Sequence, residues 1–334
     1  MDKYYTKVNL GNWPWQIDYT TGTMLMGSCF SENIGAKLVY YKFPVDQNPF
    51  GIIYNPLTVA HSLKMALSGR EYIKNDLFYH GGLYGSFDHH GRFSSTEEKD
   101  ALLKMNEQLQ KARCFLQKAD FLIVTFGTAW VYRLRGSGRL VANCHRFPSS
   151  TFTRERLTSS AISNAMNEVL EQLTTVNPSI KVIFTVSPVR HWKDGAVENQ
   201  LSKAILLLAV DAIIKHWNDG RCRYFPAYEI VMDELRDYRF YAPDLVHLNQ
   251  MGMDHIWDKF QSLLFSEEVQ QQMRVVGSVR KASEHRPFNR NTDAYQKFVQ
   301  NNLKKIAEIA YKYPYINLMS EKVHFDEELA DIQV

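Results

Sequence analysis

Cysteine is scarce. There are four in 334 residues (Cys29, Cys114, Cys144 and Cys222), none in C-x-x-C spacing, which argues against a zinc ribbon or a disulfide framework. Long apolar runs are missing too. The longest, such as Ala204 to Val210, fall short of a bilayer, so no membrane association is expected. The start, Met1-Asp2-Lys3-Tyr4-Tyr5-Thr6-Lys7, is polar and opens no apolar stretch, so the expected compartment is the cytoplasm. No block of like charges precedes Glu327, Glu328 and Asp331, and the net charge is only +3, so no nucleic-acid partner is expected. No Gly-x-Gly-x-x-Gly or phosphate-loop lysine follows an apolar run, which argues against nucleotide binding. His89 and His90, in Phe87-Asp88-His89-His90-Gly91, lack a third ligand at metal spacing. They read as a polar loop near a site mouth, and neither a metal nor a cofactor is expected. No repeat period is visible.

What is present describes a globular chain, 45% hydrophobic and 22% charged, long enough for one large α/β domain or two medium ones. Three apolar runs read as buried parallel strands: Thr23 to Met26, Phe121 to Phe126 and Lys181 to Val186. A fourth, Tyr224 to Tyr228, contains Pro226 and reads as an edge strand or an early exit. Helical spacing covers Pro56 to Ser68, Glu97 to Ala119, Arg154 to Val176, Gln200 to Trp217 and Met251 to Leu264. Alternating strands and helices predict a mostly parallel sheet covered on both faces, a three-layer α/β sandwich. Ligands of such sheets bind beyond the carboxyl ends of the strands. Four segments fall there: Gly27-Ser28-Cys29, Gly127-Thr128, Ser187-Pro188 and Asp244 to His247. After Ser266 the chain turns polar and basic, with a loop around Arg280, Lys281, Arg286 and Arg290, then an exposed helix from Thr292 to Tyr311. This gives two expected parts, a catalytic domain over 1–265 and a helical extension over 266–334 with a frayed acidic tail.

The turn Gly27-Ser28-Cys29-Phe30 suits a nucleophile. Glycine tolerates a sharp bend, and the helix opening at Ser31 aims free N–H groups and partial positive charge at the side chain before it. A base is available far downstream, in Asp244-Leu245-Val246-His247, where three-residue spacing lets carboxylate and imidazole lie side by side.

These residues resemble a known family. Gly27-Ser28-Cys29-Phe30-Ser31 is similar to the signature of the GSCFA family, relatives of the SGNH (GDSL-type) hydrolases. The resemblance continues through Glu32 to Gly35, Asn48 to Pro56, Ser187 to His191 and Asp244 to Asn249, spanning roughly residues 20 to 265. It implies a flavodoxin-like SGNH fold and an ester hydrolase or O-acyltransferase working through a covalent acyl-enzyme. In that family pattern the nucleophile follows the first strand, and an Asp-x-x-His supplies base and orienter, matching Asp244 and His247. Laid on Gly-Asp-Ser-Leu, the serine slot holds Cys29 and the aspartate slot Ser28. A related capsule-polysaccharide acetyltransferase family carries Gly-Asn-Cys-Gln with a cysteine nucleophile. Cys29 is favoured over Ser28, because a helix N-terminus and a neighbouring histidine both lower a thiol's pKa. A small side chain packed in the turn is the plain alternative.

The oxyanion hole is expected from backbone N–H groups near Cys29. The third-block asparagine of SGNH enzymes is absent, since Gly127-Thr128-Ala129-Trp130 stands there. Asn48, Gly51 or Asn55 could compensate, or serve only as turn residues. Arg190 and His191 follow a strand and a proline, so they can bind substrate, and His191 can stand in as base or lie in a surface loop. Trp13, Trp15 and the aromatics from Tyr238 to Tyr241 read either as a sugar-stacking platform or as core. The expected substrate is a small-molecule or glycan ester, with an acetyl group on a carbohydrate foremost. A catalytically weak binding module on the same fold is the alternative. Acyl donor, acyl acceptor and oligomeric state are not legible.

Overall fold

The computed structural model describes residues 6–332, so the polar start at Met1 to Tyr5 lies outside the described residues. The central sheet has five strands: β1 (Thr23–Gly27), β2 (Val45–Gln47), β3 (Phe121–Phe126), β4 (Lys181–Val186) and β5 (Cys222–Tyr224). Their order across the sheet is 2-1-3-4-5, with the β1–β3, β3–β4 and β4–β5 pairs parallel. This is the flavodoxin-like doubly wound order, and its ligand crevice opens where the order reverses, between β1 and β3. Gly27 ends one of those strands, and Gly127 follows the other.

The strands are apolar because both faces are covered. Every residue of β1 and β3 is buried, with Phe121, Phe126 and Phe184 among the largest enclosed side chains. Each such ring contributes roughly 1.5–3 kcal/mol by leaving water. Flanking helices are α1 (Cys29–Tyr40), α2 (Pro56–Ser68), α3 (Glu98–Leu116), α4 (Ser159–Val176) and α5 (Gly195–His216). Caps explain their limits. Asn55 accepts the Thr58 N–H at 3.0 Å, Pro56 opens α2, and Gly69 closes it at φ 75°. The fourth expected strand lies earlier than Tyr224 to Tyr228. Cys222–Tyr224 pairs on the sheet edge, so of that run only Tyr224 is in the strand. The strand ends before Pro226, as a missing N–H requires, and Ala227–Glu229 is helical.

Around the sheet, two further things differ from the sequence expectation. Arg154 to Arg156 is not helix: Phe152–Arg156 pairs antiparallel with Trp130–Leu134, and Thr158 caps α4 by accepting the Ala161 N–H. His89 is buried, with Tyr72, Phe93 and Phe50 rings packed 4.6 to 5.2 Å away. Burial holds its imidazole down at about 3, so it is a neutral core group rather than part of a polar mouth. Cys114 is exposed and Cys222 buried.

By contact density the chain forms two compact units. The first holds the sheet and comprises residues up to Gly11, Gly22–Gly35 and Asp46–Trp257. The second comprises Asn12–Thr21, Ala36–Val45 and the chain from Asp258. Helix α6 (Gln250–Leu264) runs from the first into the second, followed by α7 (Glu267–Ser283), α8 (Asp293–Lys312) and α9 (Met319–Ile332). Within the second unit Tyr19 stacks on Phe43 at 4.3 Å, and Phe43 on Phe265 at 5.2 Å. Arg280 and Lys281 lie inside α7 rather than in a loop. Buried Glu321 pairs with Lys42 and Arg280, both at 2.7 Å. Glu327, Glu328 and Asp331 lie in α9 instead of a frayed tail, because Glu328 accepts the Tyr295 hydroxyl at 2.8 Å and pairs with Arg290. No helix among the described residues is long and apolar enough to cross a membrane.

Candidate active site

The turn after β1 is fixed from several sides. Gly27 adopts φ 138°, and a Cβ there would stand 2.1 Å from the Thr125 carbonyl oxygen, so only glycine fits. Its N–H donates to Asn48 Oδ1 at 2.9 Å, and its carbonyl accepts the Ile53 N–H at 2.9 Å. Ser31 donates to Thr125 Oγ1 at 2.6 Å, tying the first turn of α1 to β3. Ser28 is buried, and its hydroxyl oxygen accepts the Phe30 N–H at 3.3 Å. Cys29 is the first residue of α1 and is only partly buried.

Burial pushes the Cys29 thiol above its ordinary value. The N–H groups of Cys29 and Phe30 oppose the rise, Glu32 on the same helix adds to it, and Lys203 works against it. The helix N-terminus therefore acts in the expected direction, yet desolvation outweighs it. The thiol awaits a base rather than standing ionised.

Asp244 and His247 form the other half. Asp244 Oδ1 accepts the N–H groups of Val246 and His247, each at 2.9 Å, and Oδ2 lies 2.7 Å from His247 Nδ1. The Val246 N–H first, then the imidazole, hold this carboxyl down at about 2. An ionised carboxylate only accepts, so Nδ1 carries a proton, and in the neutral ring Nε2 presents a lone pair. Among the described residues nothing hydrogen-bonds that Nε2, and neither Ser28 nor Cys29 lies within hydrogen-bond reach of it. The structure thus assembles the acid–imidazole pair but does not join it to the Cys29 thiol or the Ser28 hydroxyl.

Several expected donors are committed elsewhere. Gly127 and Thr128 both donate their N–H groups to the Tyr54 carbonyl, at 2.7 and 3.1 Å. The Thr128 hydroxyl lies 3.2 Å from Ser202 Oγ. Asn55 caps α2, Asn48 holds Gly27, and Gly51 packs where a Cβ would stand 2.2 Å from His90 Cβ. Beside the Cys29 sulfur, the N–H groups of Cys29 and Phe30 are the donors that face it. His191 donates its N–H to Asn199 Oδ1 at 2.8 Å, and desolvation lowers its imidazole despite the opposing charge of Asp194.

Arg190, Trp192, Met232, Tyr238, Tyr241 and the Asp244–Val246 segment share a cavity of about 510 Å³. Arg190 meets the Met232 sulfur at 3.5 Å and the Trp192 ring at 5.9 Å, and pairs with no carboxylate among the described residues. Trp192 and Tyr238 are exposed there, whereas Trp15 is buried with its ring 5.6 Å from that of Trp13. Sequence reasoning missed three polar residues on the buried face of α5: Asn199, Ser202 and Lys203. Their spacing of three and four continues the apolar stripe of Leu206, Val210 and Ile213, the signal that could have found them.

Residues 22–260 match the sequence profile described as the GSCFA family, and residues 276–331 that of the GSCFA domain protein, C-terminal domain. No curated protein matches the chain. Among solved structures it is similar to a Clostridium thermocellum family 3 carbohydrate esterase, at 10% identity over 77% of this chain and 98% of that one, with a TM-score of 0.33. A carbohydrate esterase family 3 from Talaromyces cellulolyticus gives 10%, 76% and 98%, with a TM-score of 0.34. An acetyl xylan esterase from the rumen bacterium Butyrivibrio proteoclasticus gives 14%, 62% and 55%, with a TM-score of 0.31. Likenesses this loose assign no chemistry.

Proposed function

The chain belongs to the GSCFA family, and on that premise we propose that it cleaves or transfers an acyl ester through a covalent intermediate on Cys29. The observation that carries this reading is the preformed Asp244–His247 pair beside a cavity, with Nε2 left as a free base. The segment bearing that pair closes over Cys29 when substrate enters. His247 Nε2 takes the thiol proton, and the sulfur attacks the ester carbonyl carbon. The N–H groups of Cys29 and Phe30 hold the resulting oxyanion. The C–O bond then breaks, the leaving alkoxide takes the proton from imidazolium, and a thioester remains. Water or a second hydroxyl resolves it, releasing the acid or a new ester and restoring the thiol.

The substrate is an acyl sugar, with acetyl foremost. Trp192 and Tyr238 give a sugar ring faces to stack on, and Arg190 supplies a cation for a substrate oxygen. The proposed compartment is the cytoplasm. Turnover of p-nitrophenyl acetate and a peracetylated methyl hexoside tests the mechanism, with acyl-enzyme trapped for mass spectrometry. Cys29→Ala and His247→Ala each lose about 10²-fold or more, and wild type gains one acetyl mass on the Cys29 peptide. Unchanged turnover in His247→Ala overturns the mechanism, and a label on Ser28 reassigns the nucleophile. The gap between His247 and Cys29 favours a second reading, a sugar-binding module. Under it, hexoside binding persists while neither ester is cleaved.

A further inference from the structure

Lys203 is enclosed in the first unit, with none of its surface exposed. Its Nζ donates to the carbonyls of Gly127 and Ser187, each at 2.7 Å, the residues that follow β3 and β4. The Tyr228 ring centroid lies 6.0 Å away. Among the described residues this cation has no carboxylate partner, so the site carries the cost of burying a charge. Methionine would fill a similar volume without that cost. Gly127 abuts the nucleophile turn: a Cβ on it would stand 3.5 Å from Ser28 Cβ. Along the same helix, Ser202 accepts the Ala129 N–H at 2.8 Å and Asn199 accepts the His191 N–H. Three polar side chains of α5 therefore fix the two loops that rim the site.

We infer that Lys203 is a positioning residue of the thiol site: it clamps the ends of β3 and β4 beside the nucleophile turn and supplies the positive charge that stabilises a Cys29 thiolate. The inference rests on Cys29 being the nucleophile. The two groups act on each other, Lys203 drawing the thiol down and Cys29 drawing the ammonium up. Burial first, then Arg190, push Lys203 down to about 7, so its charge is partial at neutral pH. The other groups facing the pair are Tyr228 and His191 beside the ammonium, and Glu32 and Tyr54 beside the thiol.

The test is site-resolved alkylation by iodoacetamide between pH 6 and 10, read by mass spectrometry, with exposed Cys114 as internal reference. In Lys203→Met the Cys29 profile moves to higher pH, slowing alkylation about tenfold near neutral pH, while Cys114 is unchanged. Lys203→Arg retains a cation and moves the profile less. A Cys29 profile that stays in place in Lys203→Met, or that moves equally in Lys203→Arg, overturns the inference. The readout follows protons rather than ester turnover, so failure here and failure of the acyl-transfer reading are separable.

Discussion

Cys29 stands on a turn locked by Gly27, Asn48, Ser31 and Thr125, whereas His247 and Asp244 stand on a loop with about half of each side chain in solvent. The buried half is held by chain segments distant in sequence. The exposed half is held by itself, through Asp244 bonds to residues two and three positions ahead. Local bonds fix the geometry of an imidazole, but not its distance from a thiol on another strand end. On the proposed acyl-transfer reading, a nucleophile that needs an oxyanion hole has to be rigid, while a base that must first admit substrate is better placed on a segment able to move.

Breaking the rigid half has the largest expected effect. In Gly27→Ala the new methyl meets the Thr125 carbonyl at 2.1 Å with φ at 138°, and both clashing groups are backbone. Urea denaturation should show a loss of at least about 3 kcal/mol. A loss below about 1 kcal/mol would mean that the turn yields, and the contrast between the halves would fail.

The same contrast explains what was legible in sequence. The strand ends could be placed because a run such as Phe121 to Phe126 is apolar throughout, and Gly127 interrupts it. The Asp-x-x-His pair could be read because its partners are three residues apart. Lys203 could not, since a lysine in a helix is ordinarily solvated, and only its register against Leu206 and Val210 marks it as enclosed. Nor could the fate of the Gly127 and Thr128 N–H groups, which go to a carbonyl more than 70 residues earlier. Thiol ionisation is not legible either, for a related reason. Helix position is visible in the sequence, but the burial that outweighs it is a tertiary property.

A smaller effect is expected in the exposed half from Asp244→Asn. The amide no longer dictates which imidazole nitrogen carries the proton, so ester turnover falls about tenfold or more with the urea midpoint nearly unchanged. In the wild type the carboxyl is lower folded, about 2, than its ordinary 3.8. Its contribution is therefore fully present above 3.8 and is lost as pH falls toward 2. An NMR titration of the Asp244 carboxyl with a midpoint near 4 would show that the pair does not persist in solution.

The smallest expected effect comes from Leu245, the residue that gives the loop its bend. It adopts φ 58°, a region that costs a leucine about 1 kcal/mol, and its N–H donates to the Ala242 carbonyl at 2.9 Å. The Ala242 N–H in turn donates to the His247 carbonyl at 2.7 Å, so the bend closes a short ring of backbone bonds around His247. Glycine relieves the strain but gains freedom in the unfolded chain, and the two contributions nearly cancel. Leu245→Gly should therefore leave stability within about 0.5 kcal/mol. If the loop works by keeping Nε2 preset before it closes over Cys29, turnover should still fall severalfold while the pH dependence is kept. If turnover and stability are both unmoved, the strained bend is incidental, and the Asp244 bonds alone hold the base.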